Sequence, residues 1–213
     1  MNKSATSDAL VRSPDSPYHH GDLRQALIET AVKTIAQRGV DALSLRELAA
    51  RAGVSPGAPY HHFSNRSELL ASIAEEGFTR LEAQLIAARE AAPDNASARL
   101  EALGLAYVTF AVSSLGYFRV MFHGGSTSSG PTEAGLRAFH ILGDAVVACQ
   151  NAGQAPKGDA TGLVLVAWSA VHGFATLWVD RALPFQGLEP ERLAPEIGRL
   201  ITRMFSALAA RPA

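Results

Sequence analysis

Apolar residues recur at three- and four-residue spacing along most of the chain, and no stretch alternates with period two. The pattern predicts an all-α protein. From about Asp22 to Arg38, Leu23, Leu27, Ala31 and Ile35 form a stripe with Ile28 and Val32 beside it. Asp22 and Gln25 have capping-box spacing, and Gly39 ends this helix. A second helix starts at Ser44, with Glu47 completing a capping box and Leu45, Leu48, Ala49 and Ala52 on its apolar face. Gly53 stops it in the left-handed conformation open to glycine, and Val54 follows as a buried plug. Ser55 and Pro56 then open a third helix. Pro59 removes one of its backbone hydrogen bonds, so this helix is expected to be short and irregular, and Phe63 turns back to the core.

A fourth helix, capped by Asn65 and Glu68, carries Leu69, Leu70, Ile73, Phe78, Leu81, Leu85 and Ile86 to about Arg89. At ~1.5 Å per residue it is roughly 35 Å long. That exceeds what a small three-helix head covers, so it is expected to bridge to a second domain. Residues 91–97, with Pro93 and Asn95, break the pattern. Five more helices are expected, over 98–114, 116–122, 133–151, 159–182 and 195–209, which makes about nine. The Gly/Ser stretch 123–132 and the stretch 184–195 are expected to be irregular, and residues 1–18 a disordered arm.

Two helices around a glycine turn, with small residues opening the second, make a helix-turn-helix, whose second helix enters the DNA major groove. The flanking residues narrow this further. Ala31–Gly39, Leu45-Arg46-Glu47-Leu48-Ala49, Ala52-Gly53-Val54-Ser55, Gly57–Phe63 and Asn65–Leu70 resemble the N-terminal domain of the tetracycline-repressor (TetR) family over residues 19–80. The resemblance implies a DNA-binding head and, over 81–213, a helical ligand-binding and dimerisation domain. It also implies which residues meet a double-stranded operator. Ser44, Arg46, Tyr60, His61 and Arg66 would touch phosphates, joined by the free N–H groups opening the fourth helix. Ser55, Pro56, Gly57 and Ala58 would face base edges, and His62 belongs to the same surface. Between Ala52 and Asn65 there is no Lys or Arg, so a bidentate arginine on guanine is absent from the third helix. Readout then leans on Tyr60, the histidines, thymine methyls packed on Pro56 or Ala58, and DNA shape.

Composition adds modest constraints. The net charge is −1, with eight Lys/Arg against six Asp/Glu in residues 1–66 and four of the seven histidines there. A mildly positive head on an acidic body suits DNA. The single cysteine, Cys149, forbids an internal disulfide and suits a reducing cytoplasm. The first residues lack a signal-peptide core. The most apolar run, Leu163 to Val179, is interrupted by Ser169, His172 and Gly173, so no membrane partner is expected.

In the second half, Trp168-Ser169-Ala170-Val171-His172-Gly173 resembles the C-terminal domain of a TetR subgroup with a Trp–His–Gly signature. Trp168 and His172 share a helix face. A histidine on an apolar helix needs a partner, either a ligand or a backbone carbonyl of a neighbouring helix. Tyr107, Phe110, Phe118, Met121, Phe122, Phe139 and Val146 are the expected neighbours of a cavity there. The resemblance implies a small, mostly apolar effector and no cofactor. Arg119 and Arg137 are the only central cations, which disfavours a highly charged ligand. The helix over 159–182 is apolar on nearly every side and must be covered all round. The resemblance implies a homodimer through the last two helices.

Rival functions have thin support. Stretch 123–132 lacks the GK[ST] of a phosphate loop and the G-x-S-x-G of a hydrolase elbow. Cys149 and His172 are the only tempting catalytic pair, without a neighbouring activating motif, so no enzyme is expected. The adjacent pairs His19/His20 and His61/His62 point about 100° apart on a helix, and no cysteine cluster supports a metal. A helical interaction protein without DNA binding is the other alternative. The expected protein is a ligand-responsive repressor. Protonated His61 and His62 would bind phosphate better than neutral ones, and free histidine loses its proton near pH ~6.5. Operator affinity is therefore expected to fall between pH 6 and 8 at fixed salt; a flat profile would remove the histidines from the contact.

Overall fold

The computed structural model describes residues 20–123, 132–184 and 189–210. The arm 1–18, with His19, and stretch 124–131 lie outside the described residues. The described residues hold eight α-helices, two 3-10 helices and no strand. In order they are α1 His20–Arg38, η1 Val40–Ala42, α2 Leu45–Ala52, η2 Ala58–His61, α3 Arg66–Ala91, α4 Ala96–Ser113, α5 Leu115–Met121, α6 Glu133–Asn151, α7 Thr161–Val179 and α8 Pro190–Ala209.

The expected core stripes are buried. Leu27, Ile28, Ala31 and Ile35 of α1 meet Leu45 and Leu48 of α2, Phe63, and Leu69, Leu70 and Ile73 at the start of α3. That set closes the head. From there α3 continues unbroken past residue 80 into the body, where it packs on α4, α5 and α6. α4 is the central body helix, touching α3, α6, α7 and α8. At Ser114 the chain bends by 106° into α5, which turns back to pack on α1 and α3.

Several boundaries differ from the sequence reading. α1 begins at His20, so Asp22 lies inside it rather than capping it. Ser44 does cap α2, its hydroxyl accepting the Glu47 N–H at 3.1 Å. Glu47 does not close the box; its carboxylate instead pairs with Arg38 and Arg51. Gly53 takes the left-handed conformation, φ 69°. The third helix is only the 3-10 helix η2, which makes the α-helix count eight rather than nine. Pro59 explains this, because it offers no N–H to an α-helical ladder. The segment settles into i to i−3 bonds, Tyr60 N–H to Gly57 O at 3.1 Å and His62 N–H to Pro59 O at 3.0 Å. Pro59 is buried while Val54 is only half-buried, so the proline is the plug. α8 starts at Pro190, not Pro195: a proline suits the first helical position, and the helix runs on through Pro195 in its second turn at the cost of one backbone bond.

α7 is long and apolar enough by composition to cross a membrane. Within one chain it is not covered all round: Leu165, Val166 and Leu177 stand exposed, as do Leu200, Met204 and Leu208 of α8. Gly173 has open space beside it in this chain.

Two glycines give opposite expectations. A Cβ at Gly116 in α5 would overlap the Val32 carbonyl oxygen of α1 and lie 2.8 Å from its Cγ1. Gly143 in α6 has nothing within 4 Å. Gly116→Ala is expected to destabilise by about 1–3 kcal/mol through overpacking. Gly143→Ala should stabilise by about 0.5–1 kcal/mol through helix propensity. Urea unfolding of the two variants checks both signs.

Candidate nucleic-acid interface and ligand cavity

The head leaves most of the η2 segment open to solvent. Ser55, Pro56, Gly57 and His61 are exposed, Ala58 and His62 half-buried, and Tyr60 is 56% exposed. Ser44 and Arg46 stand exposed at the adjoining start of α2. Ser44 has spent an acceptor on the cap, and its hydroxyl hydrogen stays available as a donor. Nine of the sequence-selected residues are thus exposed or half-buried on the head.

Arg66, the tenth, turns partly inward. Its Nε donates to Leu43 O at 3.0 Å and its Nη2 to Val40 O at 2.7 Å, so it clasps the end of η1 with two donors that a phosphate would otherwise use. The start of α3 is also less open than expected. Asn65 Oδ1 accepts the Glu68 N–H at 2.9 Å, and the Glu68 carboxylate accepts the Ser64 N–H at 2.7 Å. Those bonds from Ser64 hold the Glu68 carboxyl below its usual range, keeping a negative charge beside this helix start. Arg24, which the sequence reading passed over, stacks its guanidinium 5.2 Å from the Phe63 ring and donates to Ser72 Oγ at 3.0 Å.

The body holds a half-open cavity of about 410 Å³ between α3, α4, α6, α7 and α8. Tyr107, Met121, Phe122, Phe139 and Trp168 line it, as the sequence predicts. Phe110, Phe118 and Val146 do not line it; they are 2%, 4% and 0% exposed and belong to the core behind. His172 also lies behind the wall. Its Nδ1 is 2.7 Å from the Tyr107 hydroxyl, and its ring stacks on Trp168 at 5.4 Å and meets Phe122 at 4.5 Å. The question left open by the sequence is answered by a third partner, a tyrosine. Burial pushes the Tyr107 hydroxyl up and the His172 imidazole down from their ordinary values, so both stay neutral at pH 7.

Sequence reasoning missed the aliphatic part of the wall: Phe78, Leu81 and Leu85 from α3, Leu100 and Leu103 from α4, Leu142 from α6, and Ile201 from α8. The usable signal was the length of α3, whose apolar face outruns the head. No Lys, Arg, Asp, Glu or His lines the cavity among the described residues. Arg137 is held by Glu82 at 2.9 Å and by Glu133 at 3.3 Å.

Helix α5 joins the two regions. Met121 lies on the cavity wall, while Arg119 on the same helix donates from Nη1 to Ala36 O at 3.1 Å and to Ile35 O at 3.3 Å in the last turn of α1. Tyr117 donates to Glu76 at 2.7 Å, and Arg80 and Gln25 bond the same carboxylate. Burial would raise the Glu76 carboxyl, but these three hydrogen bonds outweigh it and hold the group below its usual range.

Comparison with known proteins agrees with this geometry. The family model described as "Bacterial regulatory proteins, tetR family" matches residues 27–73, and that described as "Tetracyclin repressor-like, C-terminal domain" matches residues 100–205. A solved structure of a protein with unknown function from Rhodococcus sp. RHA1 is 38% identical. The match covers 90% of this chain and 100% of that one, with a TM-score of 0.77. The probable acrEF/envCD operon repressor of Escherichia coli strain K12 is 25% identical over 200 residues, 85% of this chain and 86% of that protein. The HTH-type transcriptional repressor KstR2 of Mycolicibacterium smegmatis is 31% identical over 61 residues, so the chain spans only 30% of that relative's length. With both halves matched, head and body alike, the chain belongs to the TetR family of bacterial regulatory proteins.

Proposed function

We propose that this protein is a dimeric, ligand-responsive transcriptional repressor, not an enzyme, and that it belongs to the subgroup with the Trp168–His172–Gly173 signature. The head, residues 19–80, binds a near-palindromic operator. Arg46, Ser44, Tyr60 and His61 hold phosphates, with the remaining donors of Arg66 beside them. Ser55, Pro56, Gly57 and Ala58 face the bases, with His62 at the edge. The body, residues 81–213, holds a small apolar effector in the cavity and pairs with a second copy through α7 and α8.

The observation that carries this reading is that one helix serves both regions. Met121 of α5 forms cavity wall, and Arg119 and Gly116 of α5 grip α1 of the head. An occupant that shifts α5 shifts the head with it. A coupling of about 1–3 kcal/mol would change operator affinity 5–150-fold. The exposed apolar residues of α7 and α8 support the dimer, since a helix apolar on all sides needs a cover on all sides.

Selection of bound duplexes from a random pool at about physiological salt is expected to enrich a near-palindrome with half-sites about one helical turn apart. Arg46→Ala should then weaken all duplexes similarly and reduce the slope of log affinity against log salt by about one. No enrichment by a folded dimer would favour an interaction protein instead. Met204→Glu places a charge on the exposed stripe of α8 and is expected to yield a folded monomer by light scattering. A variant that stays dimeric would move the subunit contact elsewhere.

A further inference from the structure

The cavity wall is almost wholly hydrocarbon, so its few polar groups define what it can recognise. Among the lining residues only Tyr107, Thr132 and Trp168 carry polar side-chain atoms. Thr132 Oγ1 already accepts the Gly135 N–H at 3.0 Å, capping α6. Tyr107 sits 7% exposed with its hydroxyl 2.7 Å from His172 Nδ1. We propose, resting on the effector reading above, that the cavity takes an uncharged, largely apolar molecule bearing one oxygen function, a hydroxyl or carbonyl, and that the Tyr107–His172 pair reads that oxygen.

The pair suits either function because a neutral imidazole has two tautomers. With the proton on Nε2, the tyrosine donates to Nδ1, and its oxygen, which also takes the Trp168 indole N–H, keeps one lone pair for a ligand hydroxyl. With the proton on Nδ1, the imidazole donates to the tyrosine oxygen and the tyrosine proton is free for a ligand carbonyl. The hydroxyl thus offers a donor or an acceptor without moving a heavy atom.

Charge is excluded by the same surroundings. A carboxylate or phosphate in this cavity would lose its hydration without gaining a counter-charge. Arg119 is committed to the α1 carbonyls and Arg137 to Glu82 and Glu133. Residues 124–131 contain no Lys or Arg at all.

Calorimetric titration of the full chain at pH 8 with 1-octanol, 2-octanone, octanoate and octanoyl-coenzyme A tests this. The alcohol and the ketone are expected to bind, and the two anionic probes to bind at least roughly tenfold more weakly. Tyr107→Phe, checked for an unchanged helical spectrum, should weaken the alcohol and the ketone roughly five- to tenfold, the loss of one hydrogen bond. Binding of octanoate or octanoyl-coenzyme A as tight as octanol overturns the proposed class and leaves an effector site in place. Unchanged octanol affinity in Tyr107→Phe overturns the role of the pair. Absence of binding by all four probes overturns the proposed class, whereas the effector reading falls only if no added molecule changes operator affinity. Operator binding, measured separately, stands apart from these outcomes.

Discussion

The backbone-to-backbone approach of α5 and α1 at Gly116 fixes how the head sits on the body. Without a side chain at 116, the short helix reaches the Val32 carbonyl directly. One turn further along α5, Arg119 meets carbonyls in the last turn of α1, at the partially negative end of that helix. On its other side, Met121 and Tyr117 press against Gly77 of α3. A seven-residue helix held on both flanks behaves as a solid part, because close-packed interiors transmit displacement rather than absorb it. The sharp bend at Ser114 aims it across the chain instead of along it.

Much of this was legible from residues alone. The caps of α2 and α3, the stop at Gly53 and the buried stripes of α1 follow local rules that tertiary structure did not override. Pro59 correctly signalled a deformed recognition segment, although not that the segment would be a 3-10 helix with the proline as its buried anchor. The failures share a cause. Phe110, Phe118 and Val146 have the right chemistry for a cavity wall, but direction in space decides whether a side chain faces the cavity or the interior. The Tyr107–His172 bond spans two helices 65 residues apart, and one chain offers no sign of such a pairing. The sequence reading weighed aromatic residues heavily and so overlooked the leucines that make up most of the wall.

The two sites solve opposite problems with similarly sparse chemistry. The η2 surface has small residues, a tyrosine and two histidines where arginine would give the strongest base contact. Under the proposed function it would rely on the form of the duplex. The cavity is lined without charged side chains, with one buried hydroxyl backed by an imidazole at its wall.

The uncovered apolar residues on α7 and α8 have a further consequence, for abundance. In the proposed dimer, Leu165, Val166, Leu177, Leu200, Met204 and Leu208 are hidden only against a second copy, so the chain is more stable when more of it is present. At low copy number the separated chain would show these residues to water, to chaperones and to proteases. A scarce regulator of this build would be cleared faster than an abundant one, so its cellular level would respond more than proportionally to its synthesis.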